Sequence, residues 1–180
     1  MFIAPTWFEG LLFWLIFLIP IILGIGLIYV NKKNSKVLAV LSIVLIIIGV
    51  ICLIASPVLW FYTYEVPSVS EKTVTVASWQ PKPGLEVNDK GVMVIDSADD
   101  LMMITSTGEG FKNDENLFFG KFDTRDILNK AKPGSVVKVK YYGWREGFNN
   151  GFPNILSIDV VDDSNADNKT VNDYFGTKVV

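Results

Sequence analysis

The sequence predicts an α-helical transmembrane hairpin followed by a small, mainly-β extracytoplasmic domain, an OB-like β-barrel with one short helix. Three observations predict it. Residues 10–30 and 37–61 contain no Asp, Glu, Lys or Arg, and roughly 20 apolar residues are enough to cross a bilayer. From residue 72 onward the apolar positions fall into period two and short bursts, the pattern of strands. Only residues 123–132 combine helical spacing with caps. The implied organisation is a hairpin over 1–62 (helices about 8–30 and 37–61), a stem over 63–71, the β domain over 72–162 and a flexible polar tail over 163–180.

The hairpin comes first. Residues 31–36 join the two runs and carry Lys32, Lys33 and Lys36, whereas the first nine residues carry only Glu9. Positive loops stay inside, so the expected orientation is a cytoplasmic loop with both termini and the whole polar domain outside. Trp7, Trp60, Tyr62 and Tyr64 fit an outer aromatic belt and Tyr29 an inner one. The first run is longer than a cleavable signal core and ends Tyr29-Val30-Asn31, without small residues, so it reads as a retained span. In the second run Ala39, Ser42, Gly49, Cys52 and Ser56 share a helical face; Gly24 and Pro20 offer a thin side on the first. Small faces let helices approach closely in lipid, which predicts packing within the hairpin, with a homo-oligomer seam as the alternative use. Neither run holds an ionisable residue, so neither suggests a channel.

In the domain, residues 72–79 alternate like a strand and 80–84 (QPKPG) break it. Residues 91–96 and 101–106 are apolar bursts bounded by Asp and Gly, and 116–122 (NLFFGKF) is a further strand candidate. Asp123 stands at an N-cap position, with Asp126 in the first turn and Pro133-Gly134 as the stop. With 91–96 and 101–106 taken as a strand pair or one long bent strand, residues 135–144 and 154–161 complete a five-stranded order, with the helix between the third and fourth strands. A mixed α+β sheet with the helix on one face is the alternative. The expected core is Phe118, Phe122, Leu128, Val137, Val139, Leu156, Ile158 and Val160.

Composition excludes several functions. Residues 72–162 carry 11 Lys plus Arg against 13 Asp plus Glu, which argues against a nucleic-acid partner. Histidine is absent, removing the commonest general base and metal ligand. Cys52 is the only cysteine, and no serine sits in a nucleophile context. No cofactor, metal site or catalytic residue is expected. Asp96, Asp99 and Asp100 read as turn residues. Asp163, Asn165 and Asp167 alternate like the start of a calcium loop, but Asn168 and Tyr174 stand where such a loop needs Gly and Glu. Residues 107–110 (TGEG) lack the lysine of a phosphate loop. Asn168-Lys169-Thr170 fits a glycosylation acceptor.

The candidate ligand or partner surface is Lys138, Lys140, Tyr142, Trp144 and Arg145. Alternation along 135–145 puts Val137 and Val139 inward and a Lys-Lys-Tyr-Trp stripe outward. A bulge at Gly143 would instead turn Trp144 into the core against Phe152 and Pro153. That packed arrangement is the one expected, with Arg145 paired to Asp123 or Asp159.

Lys121-Phe122-Asp123, Tyr142-Gly143-Trp144-Arg145 and Phe152-Pro153-Asn154 together resemble a family of small membrane-anchored bacterial proteins of unknown function. The resemblance spans about residues 111–161. It implies a domain and a membrane setting, and no reaction. The expected function is therefore a non-enzymatic, membrane-tethered extracytoplasmic binding or interaction module in the plasma membrane. Its partners would be the lipid bilayer and another membrane or envelope protein. The alternative is an accessory subunit of a membrane complex whose hairpin is the working part.

Overall fold

The computed structural model describes residues 7–31, 35–83, 92–145, 151–169 and 173–179. The chain divides into two compact units, residues Met1–Pro67 and Ser68–Val180.

The first unit is built from α1 (Trp7–Val30) and α2 (Lys36–Trp60). A Cβ at Gly24 would collide with Ile46 and the Ser42 carbonyl, and one at Gly49 would collide with Ile21. Those pairings make the helices antiparallel and in backbone contact. Ser42, Gly49 and Ser56 are buried, three of the small residues whose spacing marks the face. Pro57 lies within α2 and has no N–H to give to the Leu53 carbonyl one turn earlier. The Ser56 hydroxyl donates to that carbonyl instead, at 2.9 Å. Past Trp60 the helix widens into a π turn, Phe61–Glu65, and tightens into a 3₁₀ turn, Val66–Ser68. By length and composition the stretch Lys36–Ser68 is long and apolar enough to cross a membrane; Leu18–Val30 forms a shorter apolar helix. Lys32 and Lys33, on which the expected orientation rests, lie outside the described residues.

The second unit contains β1 (Ser70–Pro81), β2 (Val92–Ile95), β3 (Leu101–Thr105), β4 (Gly110–Lys112), α3 (Thr124–Lys130), β5 (Val136–Tyr142), β6 (Asn154–Asp162) and β7 (Gly176–Val179). Five strands form a mixed sheet in the order β1-β3-β4-β6-β5, and β5 pairs back onto β1. All neighbours are antiparallel except β4 and β6, which meet in parallel through Lys112 and Asn154. The long β1 serves two partners. Residues 70–75 pair with β5, residues 76–81 pair with β3, and the register shifts between Val76 and Ser78. A bulge bends a strand and sharpens its twist, which lets one strand belong to both sides of the sheet.

The core is Val74, Val76 and Trp79 from β1, Leu101 and Met103 from β3, Phe111 from β4, Ile127 and Leu128 from α3, Val137 and Val139 from β5, and Ile155 and Ile158 from β6. Buried Trp79 donates its indole N–H to the Ala131 carbonyl at 2.6 Å, tying β1 to the end of α3.

Of the expected core, Leu128, Val137, Val139 and Ile158 are buried, and Leu156 is half-buried. Phe118, Phe122 and Val160 are exposed. Two causes account for Phe118, Phe122 and Leu156, whereas Val160 pairs with buried Val137 and is exposed near the end of β6. First, residues 116–122 are not a strand. Asn116 and Lys121 bridge across a tight turn with Gly120 at φ +65°, and the strand in that place is β4, which apolar periodicity missed because it has three residues. Second, β6 is bulged. Lys140 pairs with Ser157 and Tyr141 with Ile155, so Leu156 is the extra residue and the inward positions become Ile155 and Ile158.

The apolar burst at 91–96 also has a different place. Its strand, β2, lies outside the five-stranded sheet and pairs with β7, so the segment expected to be a flexible tail carries a strand. Between β6 and β7 the chain docks on the α3–β5 turn. Asp167 N–H donates to the Pro133 carbonyl at 2.7 Å, and Gly134, at φ +88°, lies where any Cβ would meet the Asn165 backbone. Tyr174 and Phe175 pack against the core. Asp123 precedes α3 as expected, but its side chain makes no cap hydrogen bond.

Candidate functional site: an aromatic cleft

Where β5 ends, the polar unit opens into a cleft of about 590 Å³. One wall comes from the β3–β4 turn and β4: Glu109, Gly110 and Phe111. The other comes from Tyr141, Trp144, Arg145, Phe152 and Pro153.

Local chemistry builds this shape. Gly143 has φ +83°, a conformation that costs a side-chain-bearing residue about 1–2 kcal/mol. It breaks the alternation of β5, so Trp144 leaves the outward face and lines the cleft half-buried. The Gly143 N–H donates to the Ser68 hydroxyl at 2.8 Å. Arg145 is exposed, lays its guanidinium over the Phe152 ring at 3.9 Å and donates to the Gly151 carbonyl at 2.9 Å. Phe152 rests on Gly110, where a Cβ would come within 3.0 Å of the ring and strike Met102. Phe111 and Tyr141 meet edge to face at 5.1 Å on the inner side.

The outward stripe thus comes apart. Lys138 and Lys140 stay on the exposed face of β5. Lys138 binds Glu71 of β1 at 2.6 Å. That hydrogen bond holds the Glu71 carboxyl below its ordinary range and raises the Lys138 ammonium. On the cleft rim Lys72 likewise grips Glu109 at 2.6 Å and lowers its titration.

Tyr142 belongs to a third place. Its hydroxyl accepts from Asn116 at 2.7 Å and Asn154 at 3.1 Å, and its ring packs on Phe119 at 4.6 Å. These bonds belong to a polar clasp that sequence reasoning missed. Asp114 N–H donates to Asn154 Oδ1 at 2.8 Å, and Asn154 Nδ2 donates back to the Asp114 carbonyl at 3.1 Å. Lys82 also binds the Asp114 carboxylate. Lys121 is 4% exposed. Its ammonium donates to Asn113 Oδ1 at 2.9 Å and the Asp114 carbonyl at 2.8 Å. Burial pushes it down to about 8, against the opposing pull of Asp123, Asp114 and Asp99. The clasp fixes residues 113–121 to the ends of β5 and β6. No periodicity reveals it, because its donors and acceptors are backbone groups and amides brought together by the turn.

Asp99 and Asp100 sit in the 3₁₀ helix Ala98–Asp100, closed by a reciprocal Ser97–Asp100 capping box, and Asp96 just before it donates its N–H to Asp100 at 3.2 Å. Asn168 is exposed. Among the described residues no group of three or more Cys, Asp or Glu is arranged to hold a metal ion.

A family model described as "Protein of unknown function (DUF1523)" matches residues 113–177. The match agrees with the resemblance at the level of an uncharacterised domain. It covers the clasp from Asn113, the Trp144–Pro153 wall of the cleft and most of the segment after β6, and leaves out β1 and β3. No curated protein and no solved structure matches the chain.

Proposed function

We propose that this chain is a membrane-tethered, non-catalytic binding module. Its helix pair forms a transmembrane hairpin in the plasma membrane, and its polar domain is an OB-like barrel on the extracytoplasmic side that takes a ligand or partner in the aromatic cleft. The observation that carries the reading is the cleft itself. Its volume lies in the range of binding pockets, and such pockets pair apolar and aromatic walls with a few polar groups. Here the walls are Phe111, Tyr141, Trp144 and Phe152, and the polar groups are Arg145 and the Gly110 backbone.

The topology supports the OB-like reading. Numbered within the sheet, the five strands run 1-2-3-5-4 and return to 1, with the helix between the third and fourth. The apolar length of Lys36–Ser68 and the buried small face of the helix pair support the hairpin. The polar clasp reads as scaffolding, since its hydrogen bonds are satisfied internally.

The test is photo-crosslinking in native membranes, with a benzophenone side chain at Arg145 or, as control, at exposed Thr73. A discrete adduct is expected at position 145 and none at 73. Gly110→Val, which pushes into Phe152 and Met102, should abolish the adduct. An adduct that persists in the Gly110→Val chain, or none at all, refutes the cleft as the binding site. Protease added to intact cells should remove the polar domain; digestion only after lysis would invert the proposed topology.

A further inference from the structure

We infer that Lys121 and Asn113 close an intramolecular isopeptide bond, which turns the polar clasp into a covalent one. The Lys121 amine forms a new bond to the side-chain carbonyl carbon of Asn113, the bond from that carbon to Nδ2 breaks, and ammonia leaves. One amide is exchanged for another, so no oxidant, reductant or co-reactant is needed.

Three observations meet at this pair. The first is geometry. Lys121 Nζ stands 2.9 Å from Asn113 Oδ1 and 2.8 Å from the Asp114 carbonyl. Hydrogen-bond geometry at an amide oxygen puts that nitrogen about 3–4 Å from the amide carbon, bordering the ~3–3.5 Å of a near-attack arrangement. Asn113 Nδ2 donates to the Thr124 carbonyl at 2.8 Å, so the carboxamide is pinned on its leaving-group side as well. Groups held this way react as though at very high concentration, which an amide, a weak electrophile, requires.

The second is burial. Asn113 is 0% exposed and Lys121 4%, which keeps out water, the competing nucleophile. Burial also lowers the Lys121 ammonium to about 8, with Lys82 pushing the same way and Asp123, Asp114 and Asp99 opposing. The neutral amine, which is the nucleophile, is therefore populated near neutral pH.

The third is an acid without a partner. Asp99 Oδ1 is buried and makes no hydrogen bond, and the Asp99 charge acts on Lys121. The exchange must carry a proton from the attacking amine to the departing Nδ2. Asp114 is occupied by Lys82 and Asp123 is exposed, which leaves Asp99 to relay it. Because amides react slowly, the freshly folded chain carries the free, titrating Lys121 and closes afterwards.

The experiment follows the full chain in mild detergent by mass spectrometry, with trypsin digestion, during incubation at about pH 9 and about pH 6. Closure removes the mass of one ammonia and acylates Lys121, so trypsin no longer cuts after it. The peptides Asn113–Lys121 and Phe122–Arg125 should give way to one peptide, Asn113–Arg125, lighter by ammonia. With the amine titrating at about 8, closure should be roughly a hundredfold faster at the higher pH. Lys121→Arg should abolish the product, and Asp99→Asn should slow it by roughly a hundredfold. The natural chain unfolded in urea should not close. Absence of the joined peptide at the higher pH overturns the inference, as does equal closure in urea. A loss of ammonia that persists in Lys121→Arg is ring closure of Asn113 on its own backbone and overturns it too. Undiminished closure in Asp99→Asn overturns the relay.

Discussion

Lys121 offers a direct test of the clasp. Unfolded, its ammonium has its ordinary value of 10.5; folded, it titrates at about 8 because burial strips its water. Between those values the unfolded chain holds a proton that the folded chain has released. A group whose folded titration is depressed in this way makes stability rise with pH. At neutral pH the folded protein bears the cost of a buried charge, and from about pH 8 to 10.5 that cost is relieved. A tenfold change in affinity is about 1.4 kcal/mol, so Lys121 should add about 2–3 kcal/mol between pH 7 and pH 10. Other groups titrate in the same window, so the comparison is with Lys121→Met, which keeps the length and removes the charge. That substitution leaves Asn113 Oδ1 without a donor, a cost of about 1–3 kcal/mol that does not vary with pH. The assay is urea unfolding of the full chain in mild detergent, read by pulse proteolysis of the polar unit across that pH range. The gap between the natural chain and Lys121→Met should widen in favour of the natural chain as pH rises. Parallel curves would show that the Lys121 ammonium is hydrated, and the clasp as described would be wrong.

Other outcomes follow from burial and packing. Ile155→Ala, at a fully buried position on the bulged β6, should destabilise the polar unit by about 2–5 kcal/mol, while Phe122→Ala, mostly exposed, should change it by less than about 1 kcal/mol; equal losses would mean that Phe122 is inside. Gly49→Leu, which has no room beside Ile21, should push the two helices apart and lower the thermal midpoint of the helix pair in detergent, with an unmoved midpoint counting against the packed face.

Trp144 shows where sequence and structure share the answer. Glycine followed by tryptophan at the end of an alternating strand poses two outcomes, a stripe or an inward turn. The positive φ of Gly143 decides for the turn, but the side chain stops half-buried at the cleft rather than in the core. The Lys-Lys-Tyr-Trp surface accordingly divides among three places: an ion pair with Glu71, the clasp and the cleft wall.

By itself the sequence determined the two apolar helices, because an uninterrupted apolar run has one low-energy use, and the small face on α2, because helical spacing maps directly onto contact. It also determined α3, whose acidic start and Pro133-Gly134 stop are local signals, and the inward valines of β5. The tertiary structure alone decided the rest. A three-residue strand such as β4 has no period to detect. A bulge such as that at Leu156 moves the inward position to Ile155 without leaving a mark in composition. The β2–β7 pairing joins segments more than 80 residues apart. The burial of Lys121 beneath an exposed Leu-Phe tip inverts the ordinary rule of hydrophobic inside and charge outside. That inversion holds because hydrogen bonds from a folded turn can satisfy a lysine's protons, and no pattern along the chain encodes where those acceptors will be.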